Sequence, residues 1–308
     1  MKIVVIGPGA LGCFLAASLA DQGAAEIQLL DHDSQRAARV AAQGILLERN
    51  GEERRIKVPA TADPERLGRV DAILLCVKSH QIAAALPRIR RLASPDNLVI
   101  ALQNGIAHLA FLAARDSALP WAAGVTSVGV TLLGQGHIRF GGQGQTKVGF
   151  LEKKSGDDRE TRLTELAGLF AKSGLETAVV DNIIDHIWAK FFINIGINAL
   201  TAIHNCPNGE LLMSASVREQ MIAAVREAIT VAQALGIPIS GDPVAATLKV
   251  CQATAGNISS MLQDVRNHRQ TEIDAINGVL LKEAARLGVA VPVNESLVSQ
   301  IRKLEKYG

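Results

Sequence analysis

Over the first hundred residues the hydrophobic positions fall into two alternating kinds of segment. Lys2–Ile6, Glu26–Leu30, Ala72–Val77 and Leu98–Leu102 are short, nearly continuous apolar runs, the form of strands buried on both faces. Between them the apolar positions take a helical period, over roughly Leu11–Gln22, stopped by Gly23, and over Ser34–Gln43, with Asp33 as its N-cap. A further helix separates the last two strands. Asn50-Gly51, set between Leu46-Leu47 and Ile56–Val58, predicts a hairpin. Strand and helix in alternation predict a doubly wound α/β parallel sheet.

From Trp121 to Phe150 the pattern becomes strand and turn, with Gly134-Gln135-Gly136 and Gly141-Gly142 as the turns, and a helix follows over Asp158–Ser173. Beyond Asp181-Asn182 the strand signal stops. Helical patterns cover roughly Ile183–Ile203, Ser216–Leu235, Pro243–Thr254, Thr271–Leu287 and Glu295–Lys306. Two domains are therefore expected, 1–181 α/β and 182–308 all-α.

Composition narrows the partners. Hydrophobic residues make up 48% of the 308 but aromatics only 3%, so the cores must be aliphatic. The formal net charge is +2 with acids and bases interleaved, which leaves no basic stripe to track nucleic acid. Glycines interrupt the apolar stretch that follows Lys2, against a signal peptide. The uncharged run Ser117–Ile138 is broken by Pro120 and four glycines and reads as paired strands rather than a membrane span. Cys13, Cys76, Cys206 and Cys251 form no C-x-x-C pair, and the sequence offers no metal site. A soluble cytoplasmic protein with reduced thiols is expected. The aliphatic helical domain offers a surface for a homodimer.

Gly7-Pro8-Gly9-Ala10-Leu11-Gly12 fits G-x-G-x-x-G, a weak pattern by itself. Here it follows a strand and opens a helix, the context in which a backbone loop cradles a dinucleotide pyrophosphate. Asp31 ends the second strand, where an acid would hold the ribose hydroxyls of NADH and repel the 2′-phosphate of NADPH. Arg36 and Arg39 in the next helix could instead pair with that phosphate. Lys78 and Asn104 each follow a buried strand on the side where such sheets bind ligands.

In the helical half, Ile187–Ile203 is apolar almost all round, yet Lys190, Asn194 and Asn198 recur at intervals of four and share one face. Burying them without partners is costly. Either they satisfy one another and a neighbouring helix, or they line a wet cleft.

Taken with Cys206-Pro207-Asn208-Gly209, Ser259-Ser260-Met261-Leu262-Gln263-Asp264 and Thr271-Glu272-Ile273-Asp274, these motifs make the chain resemble the ketopantoate reductase family over essentially its whole length. The resemblance implies a Rossmann domain and an all-helical domain like that of 6-phosphogluconate dehydrogenase, with the active site in the cleft between them. It implies that Lys190 is catalytic and that Glu272 is the acid beside the substrate hydroxyl. It further implies that Asn194, Asn198, Asn208 and Ser260 bind substrate, and that Lys78 and Asn104 contact NADP, with Asn104 also near the substrate. The family commonly reads NADPH with an arginine near the end of the second strand. This chain has Asp31-His32-Asp33 there, so NAD is the competing cofactor.

A lysine ammonium beside carboxamides suits hydride reduction of a small 2-keto acid, because negative charge builds on the carbonyl oxygen. Two rivals stay open. One is a dehydrogenase for another small 2-keto or 3-hydroxy acid. The other is a non-catalytic dinucleotide sensor.

Overall fold

The computed structural model describes residues 1–23, 25–109, 121–151 and 158–307. The chain forms two compact units, Met1–Gln103 with Phe111–Ile183, and Asn104–Ala110 with Ile184–Gly308.

Among the described residues the first unit has twelve strands: β1 (Lys2–Ile6), β2 (Glu26–Leu30), β3 (Ile45–Arg49), β4 (Glu52–Ile56), β5 (Ala60–Thr61), β6 (Ala72–Leu75), β7 (Leu98–Ala101), β8 (Trp121–Thr126), β9 (Gly129–Gly134), β10 (His137–Gly142), β11 (Thr146–Phe150) and β12 (Thr177–Val179). Eight of them form one sheet in the order β12-β11-β8-β7-β6-β1-β2-β5, parallel except where β11 runs against β8. Alternate residues of β1 enter different cores. Ile3 and Val5 join Phe14 and Phe170 on one face, and Val4 and Ile6 join Ile82 and Ile89 on the other. These side chains come from α1 (Ala10–Asp21), α3 (Ile82–Leu92) and α4 (Arg159–Lys172). Burial on both faces explains why the central strands carry no polar alternation.

The other four strands form a small sheet in the order β4-β3-β10-β9. Asn50 (φ 53) and Gly51 (φ 83) are both left-handed between antiparallel β3 and β4, which matches the hairpin read from the sequence. Two details differ. Gly141-Gly142 is the end of β10 rather than a turn, and a register shift between Phe140 and Gly142 absorbs the irregularity against β9. The short edge strand β12 has no counterpart in the sequence pattern. The uncharged run, from Trp121 onward, is β8, β9 and the start of β10, while residues 117–120 of it lie outside the described residues. Asp33 caps α2 (Ser34–Gln43) as expected, accepting from the N–H groups of Gln35 and Arg36.

The second unit contains α5 (Ile183–His204), α6 (Ala215–Ala234), α7 (Pro243–Ala253), α8 (Ser260–Arg266), α9 (Asn277–Leu287) and α10 (Pro292–Tyr307). Glu227 of α6 accepts from the backbone N–H groups of Val293 and Asn294 and from the Asn294 amide, which ties α6 to the start of α10. The helix expected from Thr271 starts at Asn277. Before it, the Thr271 hydroxyl accepts from the Ile273 N–H, and the Glu272 carbonyl accepts from Ala275 and Ile276. That local bonding holds 271–276 as a turn. Among the described residues no helix is long and apolar enough to cross a membrane.

Candidate active site

The glycine loop joins β1 to α1. Gly7 has φ +100, and its N–H donates to the Leu30 carbonyl (3.2 Å), which ties the loop to the end of β2. A Cβ on Gly12 would lie 2.0 Å from the Gly7 carbonyl oxygen, whereas one on Gly9 would meet nothing within 4 Å. Gly12 is thus required by the fold, and Gly9 leaves an open space above the loop. No side chain caps α1. Free N–H groups at the positive end of a helix, facing a space without side chains, fit a pyrophosphate.

Asp31 sits at the end of β2, buried, and its N–H donates to the Thr61 carbonyl (3.0 Å). Its carboxylate is already engaged. It accepts from Arg36 Nε and from Arg36 Nη2 (2.5 Å), and from the Asp33 N–H (3.2 Å). This pairing raises the Arg36 pKa further. Lys78 stands three residues beyond β6, part-buried, at the start of a 3₁₀ turn, Ser79–Gln81. Gln103 fixes the neighbouring strand ends by donating to the Leu75 and Val77 carbonyls (2.8 and 3.1 Å).

In the second unit three predicted residues meet. Lys190 Nζ donates to Asn104 Oδ1 (2.8 Å), and Asn104 Nδ2 donates to Glu272 Oε2 (3.1 Å). Asn104 reaches this position because the segment after β7 belongs to the helical unit. Gly105 (φ +76) makes the approach tolerable, since a Cβ there would lie 2.2 Å from the Ala275 carbonyl oxygen. Burial pushes the Lys190 pKa down to about 8, against a smaller upward pull from Glu272. Asn194 and Asn198 follow Lys190 along α5 and are buried, at 9% and 7% exposure. Neither carboxamide has a hydrogen-bond partner among the described residues, and neither is sealed from solvent. Of the stripe, Lys190 is thus partnered by Asn104, whereas the two carboxamides are partnered neither by one another nor by a neighbouring helix among the described residues.

Asn208 is buried at the start of a 3₁₀ turn. Its amide donates to Thr254 Oγ1 (2.8 Å), and its Oδ1 has no partner among the described residues. Ser260 is the exposed first residue of α8. Its neighbour Ser259 is committed to the fold, accepting from the Leu262 N–H and from the Thr201 hydroxyl. Among the described residues, Asn194, Asn198, Asn208 and Ser260 are not hydrogen-bonded to the Lys190–Asn104–Glu272 chain.

Several features were not legible beforehand. The engagement of Asp31 by Arg36 is one, although the five-residue spacing across a helix start could have suggested it. The bracing of the Thr271–Asp274 turn by α10 is another. His108, buried with neither ring nitrogen partnered among the described residues and its pKa pushed down to about 4, carried no sequence signal.

Comparison with known proteins covers the chain. Residues 3–153 match the family model described as Ketopantoate reductase PanE/ApbA, and 182–305 match the one for its C terminal. A 2-dehydropantoate 2-reductase of Halobacterium salinarum is 31% identical over the full length of both chains. The crystal structure of a PanE/ApbA family ketopantoate reductase from Ralstonia eutropha JMP134 superposes with TM-score 0.87 at 30% identity, covering 100% of this chain and 99% of that one. A D-mandelate dehydrogenase, solved with NADH and anilino(oxo)acetate, superposes with TM-score 0.89 at 29% identity over the same shares.

Proposed function

The chain belongs to the ketopantoate reductase family, and from that premise we propose that it is an oxidoreductase that reduces 2-dehydropantoate to pantoate with NADPH. The observation that carries the reading is the Lys190–Asn104–Glu272 chain beside two buried, unpaired carboxamides. An apolar helix has no structural use for that arrangement.

The glycine loop would hold the pyrophosphate of a reduced nicotinamide dinucleotide, which would supply the hydride. Lys190, in its ammonium form, stabilises the charge that develops on the substrate C2 oxygen and gives that oxygen its proton. Asn104 orients the ammonium by accepting one of its hydrogens, and its amide holds Glu272 in register. Glu272 accepts from the substrate's terminal hydroxyl. Asn194, Asn198, Asn208 and Ser260 supply hydrogen bonds for the rest of the small keto acid. On this reading 1–181 is the cofactor domain and 182–308 the substrate and catalytic domain. The enzyme works in the cytoplasm, with neither membrane nor nucleic acid as partner, and as a homodimer through the helical domain.

Asp31 does not oppose NADPH on this reading. Its charge is balanced by Arg36, whose Nη1 has no partner among the described residues and suits a 2′-phosphate. The similarity to an NADH-bound D-mandelate dehydrogenase favours a second reading, an NADH-dependent dehydrogenase of another 2-hydroxy acid. Nicotinamide absorbance, followed with ketopantoate and a panel of 2-keto acids under each cofactor, separates the two. Turnover of ketopantoate no better than that of the bulkier acids would refute the first.

A further inference from the structure

Two side chains of the C-terminal helix hold the turn that carries Glu272. Glu305 Oε1 accepts both the backbone N–H (2.8 Å) and the hydroxyl (2.6 Å) of Thr271. Arg302, three residues earlier and on the same face of α10, donates from Nη2 to Asp274 Oδ1 (2.6 Å). Glu272 lies between the two attachment points. Its carbonyl closes the turn by accepting from Ala275 and Ile276 (both 3.0 Å), and its carboxylate is left to meet the Asn104 amide.

Stability alone does not account for this arrangement. Arg302 and Glu305 are exposed, and exposed ion pairs add little to folding. The Thr271 bonds are of another kind, since an ionised acceptor takes both donors of a buried residue and fixes its backbone direction. The charged groups facing the turn are Glu305 and Arg302 from α10 and Asp274 within it, while Lys190 faces the Glu272 carboxylate from α5.

We propose that Glu305 is a positioning residue for the reaction, holding Glu272 through Thr271 at the distance from Asn104 and Lys190 that the site requires. The proposal rests on the catalytic reading given above and adds a residue outside the site's own shell. If the anchor at Thr271 is lost, the turn keeps its fold but Glu272 gains freedom. Misplacement of a positioned group by about 1 Å costs up to about a hundredfold in rate.

The test is Glu305→Ala beside Glu305→Gln, whose amide oxygen can still accept both Thr271 donors. In Glu305→Ala, kcat with ketopantoate should fall about tenfold. Cofactor affinity should stay unchanged. The alkaline limb of kcat should move to lower pH, because Glu272 attracts the Lys190 ammonium less well. Glu305→Gln should restore most of both. A wild-type kcat and pH limb in Glu305→Ala, or equal losses in the two variants, would overturn the proposal whatever happens to Tm. Glu272→Gln, measured in parallel, keeps the two layers apart. If it is impaired while Glu305→Ala is not, only the positioning role falls. If Glu272→Gln turns over normally, the reading of the site falls and takes this inference with it.

Discussion

Replacing Lys190 by methionine tests whether the lysine is present for chemistry or for the fold. The side chain keeps its volume and loses its charge. Burial lowers the lysine pKa from 10.5 to about 8, so keeping it protonated at neutral pH costs the folded state about 3 kcal/mol relative to an exposed lysine. Lys190→Met relieves that cost but leaves Glu272 without its cation. The single variant should therefore change stability by less than about 1 kcal/mol, and Lys190→Met with Glu272→Gln should be more stable than wild type by about 1–3 kcal/mol at pH 7. The sign of the pH dependence follows. Because the folded-state pKa is depressed, the penalty is fully present below about pH 8 and disappears as pH rises toward 10.5. The double variant's advantage in urea titrations should shrink over that window. Its kcat with ketopantoate should be down about 10²–10⁴-fold. A large loss of stability with near-normal turnover would refute the reasoning, because the lysine would then be a structural member of the helix.

The same pKa sets the wild-type pH profile: kcat should fall as pH rises through about 8, and a plateau extending past pH 9.5 would show that the ammonium is not required. Gly9→Val should abolish cofactor binding in a calorimetric titration while Tm stays within a few degrees, since a Cβ there meets no protein atom. Unchanged affinity would contradict the assignment of the loop. Arg36→Ala should lower kcat/KM with NADPH at least tenfold and lower it far less with NADH, because it removes the arginine and uncovers Asp31. Equal losses with both cofactors would remove Arg36 from cofactor selection.

What could be read in advance was what short stretches of chain determine by themselves. The glycine loop is six consecutive residues whose backbone needs are local, and the Asp33 cap and the Asn50-Gly51 hairpin are equally self-contained. The stripe of Lys190, Asn194 and Asn198 was legible because helical geometry alone puts them in line. What they meet was not. Asn104 is 86 residues from Lys190 and 168 from Glu272, and no periodicity encodes a contact at that separation. The missed start of α9 has a related cause: apolar spacing after Thr271 imitates a helix, but the N–H groups of Ala275 and Ile276 close a separate turn on the Glu272 carbonyl, and Ile276, with φ −105 and ψ −92, leaves the helical path before Asn277. At Asp31 the acid was placed correctly and its partner was not, because a buried carboxylate takes whichever donor the fold supplies, here the guanidinium of Arg36.

The crossing of one short segment from the first stretch of chain into the helical unit limits how the protein can be divided. A fragment beginning at residue 184, or a chimera exchanging everything from there to the C-terminus, would carry Lys190, Asn194, Asn198 and Glu272 together and leave Asn104 behind. Such a graft inherits the amide between lysine and acid only if its host supplies an asparagine after its own counterpart of β7, followed by a residue tolerant of positive φ. Recombination between relatives is thus constrained to keep the residues around 104 with the chain downstream of 184.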